Sequence, residues 1–356
     1  MIKQSSCINI IYLTHLPKPA NHQVVATFSQ AFIIIYFVHW NRNRFDLSLD
    51  AVIKYFSSGF VLCTFIAMAY EMMVSSVLQF FIFIILICGV MGEVTPGMTN
   101  QQMNDLGKQF AKDHVGIFVV FVFLNAYLVA ALVEELSKYF GFWMLEHPDL
   151  MDAKDIVVPT EDGQEINTNN CTLQSRGAAI TIAMVAVATG FACSENLLYV
   201  FVYTPPSVTN ELATLVARSL FPVHPLCAAI QSIGVVQRDL EGDRKSQLGR
   251  IVFPAVLLHG SFDFVLMIMA LLDGANQPAA TTGTNSTTGT YSNTDDKDDT
   301  IHVDDGIPMT ETIISVAMSV GFMVAGFFYY YCASKSQRLR LIELEQGNQG
   351  GSEMLV

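Results

Sequence analysis

Phe118-Val-Val-Phe-Val-Phe-Leu-Asn-Ala-Tyr-Leu-Val-Ala-Ala-Leu-Val133 runs without a break into Glu134-Glu135-Leu-Ser-Lys138 and resumes as Tyr139-Phe-Gly-Phe-Trp143. An apolar run of this length predicts a helix that crosses a bilayer, since a span needs about 20 mostly apolar residues. An ionisable side chain at the bilayer centre costs at least about 2.5–3.5 kcal/mol on insertion scales. Two adjacent carboxylates and a lysine in one span therefore need partners, or a wet cavity, supplied by the rest of the chain.

The rest of the chain reads the same way. Of 356 residues, 52% are hydrophobic and only 14% charged, and mean hydropathy is +0.41. Soluble domains carry about 25% charged residues, so the composition predicts an all-α, polytopic transmembrane bundle. Candidate spans are 23–40, 57–74, 75–92, 118–143, 177–201, 211–236, 249–272 and 311–332, about eight helices. Segment 51–92 is almost continuously apolar. It reads as two helices turning near Tyr70-Glu71-Met72-Met73, with one long tilted helix as the alternative.

The net charge of −13 is concentrated around 145–165 and 295–305, and no basic run argues for nucleic acid. The seven cysteines have no CxxC or zinc-type spacing and define no redox compartment. After Lys3 the apolar run is too short for a signal peptide and is followed by Pro17 and Pro19. No sorting motif stands at Met354-Leu-Val, so the organelle is not specified.

Orientation follows the positive-inside bias. Lys335, Arg338 and Arg340 place the C-terminal segment in the cytoplasm, and Arg238, Arg244, Lys245 and Arg250 place loop 237–250 beside it. With eight spans the N-terminus is also inside, but the Arg42/Arg44 loop then falls outside, against the rule. One span too many in 51–92 would produce that conflict. Loop 273–308 is Thr/Asn/Asp-rich and predicted disordered on the far side, with Asn285-Ser-Thr as a formal glycosylation acceptor. The second acceptor, Asn170-Cys-Thr, falls on the cytoplasmic side and would go unused.

Four consecutive spans carry polar groups near mid-depth. Glu134 and Lys138 are four residues apart with the acid N-terminal, the favourable order for a helical ion pair, and Glu135 is three from the same lysine. One carboxylate can be neutralised by Lys138 while its neighbour remains free to take a proton. The next span has Glu195-Asn196, and the one after has Arg218 and then Pro222-Val-His224-Pro225, where the prolines are expected to kink the helix. The last of the four has His259-Gly-Ser-Phe-Asp263, with histidine and carboxylate one turn apart on one face. Such a carboxylate commonly orients a catalytic or metal-bound imidazole. Each pair alone has a structural reading, and Glu71 is taken as structural. Together the groups predict one shared cavity and a four-helix catalytic core.

In order and spacing, EExxK, FxxxEN, an Arg/Pro segment with His, and HGxxD resemble the PrsW-type intramembrane proteases, relatives of the CAAX-processing membrane proteases. The resemblance covers about 118–272. It implies that Glu134 and Glu135 are the catalytic acidic pair, that His259 is essential, and that Glu195 and His224 are site partners, with Lys138, Asn196, Arg218 and Asp263 supporting. Where relatives often have Asn after the last histidine this chain has Asp263, which could donate to an oxyanion only when protonated.

The leading expectation is an intramembrane endopeptidase without a cofactor, in which a glutamate activates water and histidine assists; spacing does not decide between Glu134 and Glu135 as base. The first alternative is a metal-dependent hydrolase, with zinc on Glu134, Glu135, Glu195, His224 and His259. The others are a proton-coupled transporter and an inactive membrane scaffold. There is no HExxH, no GxGD pair and no rhomboid-type GxSG, and Leu272-Asp273-Gly274 reads as a helix end. The partners implied are a membrane-protein substrate and the lipid bilayer; the oligomeric state is not specified.

The expected organisation is an N-terminal tail (1–22), accessory spans and a loop (23–117), the catalytic core (118–272), the low-complexity loop (273–308), a last span (309–334) and a cytoplasmic tail (335–356).

Overall fold

The computed structural model describes residues 21–90, 97–150, 172–204, 208–276 and 309–353. Both glycosylation acceptors, most of loop 273–308 and the N-terminal tail lie outside them. Among the described residues every regular element is helical. In chain order these are α1 (Asn21–Ile35), α2 (Leu49–Ser57), α3 (Thr64–Val90), α4 (Asn100–Asp113), α5 (Val115–Leu124), α6 (Leu132–Trp143), α7 (Leu173–Leu198), α8 (Val208–Leu220), α9 (Val223–Asp239), α10 (Leu248–Asn276) and α11 (Met309–Glu353). π-helical turns at Ser58–Cys63 and Asn125–Ala131 join α2 to α3 and α5 to α6 into continuous rods.

Six helical runs are long and apolar enough to cross a membrane: Leu49–Gly89, Val115–Trp143, Leu173–Val202, Thr214–Asp239, Leu248–Met269 and Ile313–Gly347. Val24–Trp40 is a shorter apolar helix. The chain is therefore an integral, multi-pass membrane protein. The helix pair expected in 51–92 is instead one 41-residue run, the alternative reading. No Gly or Pro interrupts Thr64–Val90 before Gly89, and Tyr70-Glu71-Met72-Met73 lacks turn chemistry, so the backbone keeps its helical hydrogen bonds in lipid.

This removes the charge conflict. Ser48 N–H donates to Asp149 at 2.9 Å, and the Ser175 hydroxyl donates to Asp46. Arg340 grips Glu241 at 2.7 and 3.0 Å. Loop 41–48, segment 145–150, loop 240–247 and the end of α11 thus lie at one end of the bundle. Arg42, Arg44, Arg244, Lys245 and Arg338 share that end, which the positive-inside bias makes cytoplasmic. The Asn21 end of α1 lies on the opposite face, reversing the N-terminal orientation expected from eight spans. α11 also runs on past the predicted end of the last span, to Glu353.

α7 is the axis of the bundle. Its Ala-rich middle, from Ile182 to Cys193, is buried on all sides, as expected of a helix that is apolar all round. The Thr172 hydroxyl starts it by accepting from Ser175 N–H at 3.1 Å. Gly190 lies against the backbone of Phe56, and Gly59 against that of Val187, where a Cβ would collide with a carbonyl oxygen. Small residues let membrane helices approach this closely.

The expected proline kink takes another form. The chain breaks between α8 and α9 at Pro222 (φ −77°, ψ 60°), which caps α9. Pro225 then falls in the first turn of α9, where backbone N–H groups have no intrahelical partner and its missing donor is not felt.

Candidate active site

The nine residues singled out from the sequence meet in one cluster, carried by α6, α7, α8, α9 and α10. Glu135 is fully buried and saturated with donors. Its Oε1 accepts from Lys138 Nζ at 2.6 Å and lies 2.8 Å from His259 Nδ1. Its Oε2 accepts from Gln231 Nε2 at 2.6 Å. Three donors converging on one carboxylate match the acceptor-only chemistry of an ionised acid.

Glu134 turns the other way, into a cavity of about 610 Å³. Its Oε2 is buried without a hydrogen-bond partner. That oxygen lies 3.5 Å from His224 Nδ1, 3.8 Å from His259 Nε2 and 3.5 Å from Lys138 Nζ. Adjacent in sequence, the two glutamates thus have different surroundings: Glu135 faces the packed interior and Glu134 the open space.

Both imidazoles are backed by carboxylates on their far nitrogens. His224 Nε2 lies 2.8 Å from Glu195 Oε2, and His259 Nδ1 faces Glu135 as above. Asp263 Oδ2 approaches His259 Nε2 at 3.3 Å. The two rings stand nearly perpendicular, with centroids 4.9 Å apart. Glu195 Oε1 is paired with Arg218 at 2.8 Å. Asn196 holds that arginine by accepting from its Nε at 2.9 Å, and donates to Gln30 of α1 at 3.2 Å. Arg218 also lies 3.7 Å over the Tyr199 ring. Phe191, the aromatic of FxxxEN, supports Lys138 Nζ 4.7 Å above its ring.

Glu134, His224 and His259 bring one ligand atom each within 4.8 Å of one another. Ligand atoms about 3.3 Å apart surround a tetrahedral zinc with bonds of about 2.0–2.1 Å, so the 3.5 and 3.8 Å separations from Glu134 need slight contraction and the two ring nitrogens, within 4.8 Å of each other, must close with them. Each histidine's second nitrogen on a carboxylate is the arrangement that fixes metal-binding imidazoles. The orphaned Glu134 oxygen is the third donor. A divalent metal therefore fits these residues. Lys138 already places a cation 2.9 Å from His224 Nδ1, so it would have to withdraw from that atom if Nδ1 is the ligand.

Sequence reasoning missed two residues. Glu71, taken as structural, lines the cavity with Glu134, Glu195 and Asp263; its signal was that of any ionisable group within a span. Gln231 was passed over as a neutral amide, although it follows His224 by seven residues and so shares its helix face.

The sequence profile described as PrsW family intramembrane metalloprotease matches residues 78–281, more than half of the chain. The chain belongs to the PrsW family. No curated protein and no solved structure matches it. As a PrsW-family member it is an intramembrane peptidase acting on membrane proteins within a lipid bilayer. Glu71, Gln30 and the cavity-lining Ser315 and Ser319 lie outside the PrsW-matched stretch.

Proposed function

We propose that this cavity hydrolyses a peptide bond of a membrane-embedded substrate, with a divalent metal held by Glu134, His224 and His259. The observation that carries the reading is the pair of carboxylate-backed imidazoles flanking the unpartnered Glu134 oxygen. A metal there would supply Lewis acidity toward the scissile carbonyl.

The chain's own residues do the rest. Glu135 takes the Nδ1–H of His259 and leaves Nε2 directed at the cavity. Glu195 Oε2, 2.8 Å from His224 Nε2, stands behind that ring and leaves Nδ1 directed at Glu134. Arg218 balances the charge of Glu195. Asp263, on the cavity wall beside His259, is placed to accept a proton from the attacking water. As the water oxygen bonds to the carbonyl carbon and the C–N bond breaks, that proton passes to the leaving amine. Asp263 serves this role as a carboxylate, where an asparagine could not.

A metal-free reading is favoured by one observation. Lys138 Nζ, 2.9 Å from His224 Nδ1 and 3.5 Å from Glu134 Oε2, already places a positive charge between them. Glu134 is then the base for water, and His259, protonated on both nitrogens between Glu135 and Asp263, is the acid for the leaving amine.

The deciding experiment uses purified protein and single-span peptide substrates, with Glu134→Gln, His224→Ala and His259→Ala, with and without a strong chelator, and with metal content measured by mass spectrometry. The metal reading expects about one metal per chain, loss of that metal in all three variants, and cleavage abolished by chelator and restored by zinc. Chelator-resistant cleavage lost in Glu134→Gln and His259→Ala moves the chemistry to the metal-free site. Equal cleavage by all four proteins overturns both.

A further inference from the structure

A second cavity, of about 390 Å³, lies far from the catalytic residues at the cytoplasmic end, between the end of α1, the start of α7 and the cytoplasmic half of α11. Arg42, just after α1, and Arg338, on α11, both line it. Neither forms an ion pair with a described carboxylate; the nearby acids are engaged elsewhere, Asp46 with Ser175 and Glu241 with Arg340. Asn43 and Ser334 add polar groups, while Phe37 and Ile182 make part of the wall apolar. Both arginines lie outside the stretch that matches the PrsW profile.

We infer that this cavity is a binding site for the headgroup of an anionic phospholipid of the cytoplasmic leaflet. Two arginines lining one cleft supply planar, multidentate donors that suit phosphate oxygens. The site opens at the membrane end marked cytoplasmic by its basic loops, which is where anionic lipids concentrate. Basic pockets between helices on that side bind such headgroups. The apolar wall lets the upper acyl chain stay in a dry environment while the phosphate meets Arg42 and Arg338.

Such a lipid bridges three helices. α11 is already latched to α9 there, where Gln337 Nε2 donates to Ile233 O at 2.8 Å. The lipid adds α1 and α7 to that latch. Its phosphate thus offsets two like charges that line one cavity and, among the described residues, have no carboxylate paired with them.

The test measures thermal unfolding of detergent-purified, delipidated protein with added dioleoyl phosphatidylserine, dioleoyl phosphatidylcholine or inorganic phosphate. Phosphatidylserine should raise Tm by several degrees more than phosphatidylcholine, and inorganic phosphate should leave it unchanged. The Arg42→Gln/Arg338→Gln double variant should lose at least half of the phosphatidylserine shift. Arg44→Gln/Lys335→Gln, which removes two exposed cations at the same end but outside the cavity, should keep it. Arg42→Lys/Arg338→Lys, expected to fold even if the glutamine variant does not, should retain an intermediate shift. Equal shifts with the two lipids, a full shift in the glutamine variant, or a phosphate shift matching that of the lipid would each overturn the proposal.

Discussion

At the scale of single residues, Lys138 separates folding from chemistry. It is buried against Glu135 at 2.6 Å and Glu134 at 3.5 Å. Removing one member of a buried ion pair leaves an uncompensated charge and costs about 3–5 kcal/mol. Lys138→Met should therefore lower Tm sharply. Adding Glu135→Leu removes the uncompensated carboxylate but strands Gln231 Nε2 and His259 Nδ1, so it should recover only part of that loss while leaving the protein inactive, a result read by thermal unfolding and peptide cleavage side by side. Glu135→Gln alone tests its orienting role on His259. Loss of a carboxylate behind a ligating histidine typically weakens metal affinity or activity 10–100-fold, so zinc affinity, measured by competition with a coloured chelator, should fall by that order. The acids, lysine and histidines were legible in the sequence because charge inside apolar runs is costly. Gln231 and Glu71 were not: an amide carries no such cost, and Glu71 belongs to no motif.

At the scale of elements, the site depends on how closely α7 approaches the α2–α3 rod. Gly190 sits against the Phe56 carbonyl with no room for a methyl group. Overpacking of this kind costs about 1–3 kcal/mol, and rigid backbone on both sides puts Gly190→Ala toward the upper end. The same variant should shift Glu195, five residues along α7, and lower kcat more than it raises KM. Thermal unfolding with steady-state kinetics checks both. Sequence periodicity located α7 but could not locate this crossing, because glycine in a span is compatible with packing, bending or neither. The single rod in 49–89 was the harder reading for a related reason. A run of apolar residues twice the length of a span carries no turn signal, and length alone argues for two helices.

At the scale of the whole molecule, one span fewer in that region reverses the placement of loop 41–48. Phe45, 87% exposed, and Gly242, at a positive-φ turn, lie at the same end. With Cys7, Cys88, Cys171 and Cys332 replaced, Phe45→Cys and Gly242→Cys should both react with a membrane-impermeant maleimide only after the cytoplasmic face is opened. Gly97→Cys should react beforehand. Labelling of Phe45→Cys in intact cells would restore the eight-span arrangement.

The depth of Glu134 has a further consequence. It stands nine residues before Trp143, at the cytoplasmic end of its span, or about 14 Å along a helix. On the proposed reading of Glu134 as a residue of the hydrolytic site, a substrate helix severed at that depth would be left as two stubs, each near half the length that anchors a helix in hydrocarbon. Neither fragment would then keep a reason to stay in the bilayer core, and the two products would partition toward opposite faces. Rejoining them would require both ends to re-enter the hydrocarbon together, which gives the cut its direction without any further input of energy.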